Sequence, residues 1–138
     1  MKLKFILKKK VLYIIDTLEV GGAERSTLEI ASRLKHWHPV ICQLYKGSSL
    51  LSDYSLSKNQ LINFGLKGPY QFWKASRELL DALEHTKPDL VVATLLRSEL
   101  VARYCCRKKG IPIVGTFVND TYSTYELRNI KFSLRWKI

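Results

Sequence analysis

Among the residues able to do chemistry, the pair Gly21-Gly22 is the most telling because of what surrounds it. It follows a β-branched apolar run, Val11-Leu12-Tyr13-Ile14-Ile15, and a short loop from Asp16 to Val20. It then opens an amphipathic segment that begins Ala23-Glu24-Arg25. A strand, a loop and a glycine-led helix in that order make an anion site. The first helical turn offers unpaired N–H groups and the positive end of the macrodipole, and residues without a Cβ let a phosphate or sugar reach the backbone. In an open α/β sheet the ligand crevice lies at the carboxyl ends of the strands, where this loop falls. A tight turn and nothing more is the competing reading of a double glycine, and both stay open. The absence of G-x-G-x-x-G and of G-x-x-x-x-G-K-[ST] disfavours a nicotinamide or P-loop enzyme.

Other chemistries find less support. Cys42, Cys105 and Cys106 are an odd set without C-x-x-C spacing, and adjacent cysteines make a strained disulfide, so reduced thiols are expected. His36 and His38 flank Trp37 with no third ligand near them, so no metal site is expected. No pair of carboxylates presents itself for acid/base work, which leaves the catalytic residues unknown. The net charge of +11 in 138 residues calls for an anionic partner: a membrane surface, a phosphorylated substrate or nucleic acid. Helix-turn-helix, ribonucleoprotein and zinc-finger patterns are all missing, which makes nucleic acid the weakest of the three.

The elements that must position the glycine turn follow from periodicity. Five apolar runs read as strands: Val11 to Ile15, Val40 to Tyr45, a weaker Leu61 to Phe64, Leu90 to Ala93, and Ile113 to Phe117. They are mostly non-alternating, the mark of strands covered on both faces in a parallel sheet. Helices are expected over Ala23 to Leu34, Tyr70 to His85 and Glu99 to Lys109. Ser98 serves as N-cap of the last, Gly110 ends it, and Pro112 follows. Lys87-Pro88-Asp89 stops the second helix before its strand. Alternating strand and helix in one chain of this length predicts a single Rossmann-like α/β domain with a mainly parallel sheet flanked by helices. A loop is expected over Lys46 to Asn59, and a basic lead-in over residues 1–10 is joined to the first strand.

The stretch from Val11 to Leu34, with its Gly21-Gly22-Ala23-Glu24-Arg25, closely resembles the opening of family 4 glycosyltransferases, retaining enzymes of the GT-B fold. The likeness continues at Lys87-Pro88-Asp89-Leu90-Val91-Val92-Ala93-Thr94 and at Gly110-Ile111-Pro112-Ile113-Val114-Gly115-Thr116, in family order and spacing. It covers the chain from about Leu3 to about Asp120. The resemblance implies the amino-terminal, acceptor-side half of a GT-B enzyme. Gly21 and Gly22 would then face the cleft beside the donor diphosphate, with Arg25 either adding charge there or lying idle on the helix surface. Arg97 and Ser98, at another strand end, would contact a phosphorylated or sugar acceptor, or Ser98 would simply cap its helix. Many members carry a histidine by the reacting sugar where this chain reads Phe117-Val118-Asn119-Asp120. Asn119 or Asp120 would supply the polar contact, or the role is missing.

The resemblance implies that the family's donor domain carries two glutamates separated by seven residues and a basic pair that neutralises the leaving diphosphate, and transfer needs that stabilisation. No such set occurs in this sequence. The expected function is acceptor binding for transfer from a nucleotide sugar to a glycan or lipid-linked acceptor, inactive without a donor-binding domain. The alternatives are a non-catalytic binding module or truncated remnant, and one subunit of a split transferase. No cofactor is expected beyond the nucleotide-sugar substrate. The tail over 121–138 is basic and aromatic. Its Ile130, Phe132, Leu134, Trp136 and Ile138 alternate as in a strand, while Leu127, Ile130, Leu134 and Ile138 also fit a helix face, which the resemblance favours. Basic clusters there and at Arg103 to Lys109 suit contact with an anionic membrane surface. The longest apolar run near the start is too short for a leader or a span, so a cytoplasmic protein, peripheral at the inner membrane face, is expected.

Overall fold

A computed structural model describes residues 8–57, 60–68 and 71–116. The strands are β1 (Lys9–Ile15), β2 (Trp37–Tyr45), β3 (Leu61–Leu66), β4 (Leu90–Thr94) and β5 (Ile113–Thr116). The helices are α1 (Gly22–Arg33), α2 (Phe72–Thr86) and α3 (Leu96–Lys109), with one 3-10 turn at Leu51–Asp53 inside the expected loop. All strand pairings are parallel and the order is β3-β2-β1-β4-β5. β1 is therefore central, with Leu12 opposite Val40 on one side and Val91 on the other. The expected Rossmann-like α/β architecture is the observed one.

Burial explains why the strand sequences are apolar without alternation. Leu12 and Ile14 point to one face, where α2 and α3 cover them with Leu79, Leu83, Val101 and Cys105. Val11, Tyr13 and Ile15 point to the other, against Leu28 and Ala31 of α1 and the loop residues Leu18 and Leu50. Both faces lie under helices or loops, so either parity of the strand is buried. The three cysteines are buried. Burial raises the Cys105 and Cys106 thiols to about 11.

Short motifs between elements act as joints. Lys87 ends α2 in the left-handed region at φ 48°, its N–H bonded to Leu83 O. Pro88 bars another turn, and Asp89 locks onto the start of β1: its N–H donates to Lys10 O at 2.9 Å, and its carboxylate accepts from Lys10 N at 2.8 Å. Gly110 ends α3 in the same left-handed fashion at φ 67°.

Several boundaries differ from the sequence reading. β2 starts at Trp37 and takes in Pro39, tolerated because the ladder to β3 begins only at Ile41. α3 starts at Leu96, and its N-cap is Leu95, not Ser98. The expected cap lies inside the first turn because the Asp16 carboxylate satisfies that helix end. Tyr70 and Phe117, the expected ends of α2 and β5, lie outside the described residues, as do residues 1–7 and the tail over 121–138.

Candidate functional site

In this strand order the chain turns outward in opposite directions from β1 and β4, which opens a crevice at their carboxyl ends. Three loops meet there. The one after β1 is anchored by Leu18, fully buried, whose N–H donates to Gly47 O at 3.0 Å and whose carbonyl accepts from Leu50 N at 3.2 Å. Tyr45 N donates to Asp16 O at 2.9 Å, and Ser49 Oγ donates to Glu19 Oε2 at 2.9 Å. The loop between β1 and α1 is thus held to the end of β2 by backbone and side chain alike.

Asp16 joins it to β4. Its Oδ1 accepts from Ser98 Oγ at 2.6 Å and from Ser98 N at 3.2 Å, and Arg97 Nη1 lies 3.7 Å from Oδ2. Helix α3 begins after Leu95, a side chain that cannot cap, so its first-turn N–H finds an acceptor from a loop 82 residues earlier. Burial raises the Asp16 carboxyl above its ordinary value. The Ser98 bonds and the Arg97 charge oppose that shift, and the charge of Glu24 adds to it. Leu95 itself holds φ 76°, ψ 153°, an uncommon conformation for a residue with a Cβ and one that is concentrated at functional sites. Beside it, Thr116 Oγ1 donates to Thr94 Oγ1 at 2.9 Å, closing the rim between β4 and β5.

The glycine turn sits on this rim, at the N-terminus of α1. Gly21 is extended, at φ −163°, and a Cβ there would overlap the Glu24 carboxylate, which folds back over the turn. Gly22 is exposed, with open space where its Cβ would be. The first turn of α1 therefore presents a backbone open to approach at Gly22 and an acid covering Gly21. Arg25 is exposed on the same helix.

Of the residues singled out from sequence, Gly21, Gly22, Arg97 and Ser98 come together on one rim, Arg25 lies on the adjoining helix surface, and Asn119 and Asp120 lie outside the described residues. Sequence reasoning missed Asp16, which it placed only at the start of a loop. A carboxylate directly after a buried strand was the available signal. It also missed Tyr45, whose hydroxyl feels both Arg97 and Asp16 while burial raises its pKa. A shallow groove between Leu83, Lys87, Pro88, Lys109 and Ile111 lies at the opposite, amino end of the sheet and shares nothing with this constellation. Among the described residues, no three histidine, cysteine or acidic side chains gather as a metal ion would require.

The class these features define is a Rossmann-like α/β domain whose ligand rim is built by the loops after β1, β2 and β4. A family model, Glycosyltransferase Family 4, matches residues 20–138, and the chain belongs to that family. Curated protein sequences provide no match. Among solved structures, UDP-N-acetylglucosamine 2-epimerase from Rickettsia bellii is similar over 93% of this chain and 36% of its own, at 14% identity and TM-score 0.66. UDP-GlcNAc 2-epimerase from Neisseria meningitidis, bound to UDP-GlcNAc, is similar over 84% of this chain and 35% of its own, at 16% identity and TM-score 0.61. A glycosyltransferase from Rickettsia africae is similar over 86% of this chain and 33% of its own, at 18% identity and TM-score 0.55. At such identities the likeness shows the fold, that of a GT-B amino-terminal domain. The chain spans about a third of the length of each of these proteins.

Proposed function

We propose that the chain is the acceptor-side half of a retaining glycosyltransferase that moves a sugar from a nucleotide-sugar donor to a glycan or lipid-linked acceptor, and that it transfers nothing without a donor-binding domain. One observation carries the reading: Asp16 ties Ser98 and Arg97 to the loop that leads into Gly21-Gly22, on the carboxyl rim where the strand order reverses. Membership of the glycosyltransferase family supports it, as does a structural relative whose bound ligand is UDP-GlcNAc.

In this reading Gly22 lets a diphosphate oxygen approach the first N–H groups of α1, and Glu24 swings aside or shifts that approach away from Gly21. Arg97, 56% exposed and engaged by Asp16 only at 3.7 Å, keeps most of its donors for a phosphate or sugar hydroxyl of the acceptor. The remaining half of the cleft, with the charges that stabilise the leaving nucleotide, comes from a donor-binding domain in the same chain or in a separate subunit. Calorimetry of the chain with uridine and guanosine diphosphate sugars is expected to give weak binding or none. Supplying the donor domain is expected to restore transfer of labelled sugar, and Arg97→Ala then raises KM for the acceptor while leaving KM for the donor in place. Transfer by the chain alone refutes this division of labour. Acceptor binding without turnover in the presence of a donor domain identifies a non-catalytic module instead.

A further inference from the structure

The outer surface of α2 and α3 carries a feature that the transferase reading does not use. Phe72, Trp73 and Tyr104 meet edge to face, with ring centroids 5.3 Å (Phe72–Trp73), 5.8 Å (Phe72–Tyr104) and 5.7 Å (Trp73–Tyr104) apart. Trp73 is 67% exposed and Tyr104 39%, so the two largest rings lie in water although buried core is available beneath them. Arg77 lies one turn on from Trp73, and Arg107 and Lys108 lie one turn on from Tyr104. All three are exposed and form no ion pair among the described residues. Among the acids nearby, Glu99 is buried against Arg103 and Glu84 pairs with Lys109 at the far ends of the helices. Glu78 and Asp81, one and four positions after Arg77, form no ion pair among the described residues and are outnumbered by the three cations.

We propose that this face docks on an anionic lipid surface, with Trp73 and Tyr104 at headgroup depth and Arg77, Arg107 and Lys108 against the lipid phosphates. Indole and phenol rings are the side chains favoured at a membrane–water boundary, and a border of cations around them is what a negative leaflet attracts. Rings packed edge on form a contiguous apolar patch, not the open flat platforms on which bases or sugars stack. The net charge of +11 extends the complementarity to the whole chain. No helix among the described residues is long and apolar enough to cross a membrane, so the contact is with the surface. The proposal stands apart from the transferase reading: either can fail alone.

Sedimentation of the full chain with vesicles tests it. Equimolar phosphatidylglycerol and phosphatidylcholine vesicles are expected to bind the chain, phosphatidylcholine vesicles to leave it in solution, and added salt to release it. Arg107→Gln with Lys108→Gln is expected to weaken binding about 25-fold, and Trp73→Ala with Tyr104→Ala about tenfold. Trp73→Phe is expected to keep the binding and to remove the blue shift of tryptophan emission that vesicles produce. These positions are exposed, and circular dichroism confirms that each variant remains folded. Equal partition to neutral vesicles overturns the proposal. So does binding that survives both pairs of substitutions, or that is lost only on Trp136→Ala. Capture of an anionic polysaccharide or RNA at this face, with no vesicle binding, assigns it to another partner and overturns it equally.

Discussion

Removing the Asp16 carboxylate should separate the two halves of the candidate site. The side chain accepts two hydrogen bonds from Ser98, at 2.6 and 3.2 Å, and is only 15% exposed. Asp16→Ala deletes the acceptor that the first turn of α3 lacks locally, a cap loss of ~1 kcal/mol. It also strands the fully buried Ser98 hydroxyl, a further ~1–3 kcal/mol. Together these come to about 2–4 kcal/mol, and for a chain of this length that lowers Tm by roughly 7–14 °C. Asp16→Asn keeps an acceptor in place and is expected to cost only about 1 kcal/mol. Adding Ser98→Ala to Asp16→Ala should recover part of the loss, because the stranded hydroxyl goes with it. Thermal and urea unfolding followed by circular dichroism read all three. An Asp16→Ala chain that melts within about 2 °C of wild type refutes the long-range cap, and with it the reason for placing Arg97 beside the glycine turn.

The same carboxylate sets a pH dependence with a definite sign. Burial outweighs the Ser98 bonds and the Arg97 charge, so the folded Asp16 binds its proton more tightly than the unfolded chain does, above the ordinary 3.8. Stability from this group is therefore complete below the unfolded value and declines as pH rises through the folded one. The advantage of wild type over Asp16→Asn should be largest in acid and shrink as pH rises from about 4. An advantage that grows over that range contradicts the balance argued for this site.

Three further outcomes follow from single features. Gly21→Ala meets the end of a flexible glutamate, so it is expected to cost under about 1 kcal/mol and to become neutral in the Glu24→Ala background; a thermal-melt double-mutant cycle measures the coupling. Lys87→Gly relieves a left-handed φ of 48° at an exposed helix end and should stabilise by about 0.5 kcal/mol, seen as a higher urea midpoint. Leu79→Ala, fully buried on the inner face of α2, should cost about 2–5 kcal/mol in the same assay, and a smaller loss would mean that this face of the sheet is not close-packed.

The α/β class, the parallel sheet and the family likeness were legible because each rests on local order. Non-alternating strands announce burial on both faces, and Gly21-Gly22, Lys87-Pro88-Asp89 and Gly110-Ile111-Pro112 are turns whose backbone needs are written in the residue types. Asp16 was not legible as a site residue, because its partners stand 81 and 82 positions away and a helix cap is normally sought just before the helix. For the same reason Ser98 was assigned the cap that Asp16 supplies.

Which segments are strands and helices, where the turns fall, and the cover on both faces of the sheet all follow from residue order, since periodicity and turn chemistry act over a few residues. Folding in three dimensions was needed to show that the loop after β1 and the start of α3 share one carboxylate, that Glu24 lies over Gly21, and that Trp73 and Tyr104 meet on an outer face. Those facts depend on strand order and on the packing of helices far apart in the chain, which no local pattern encodes.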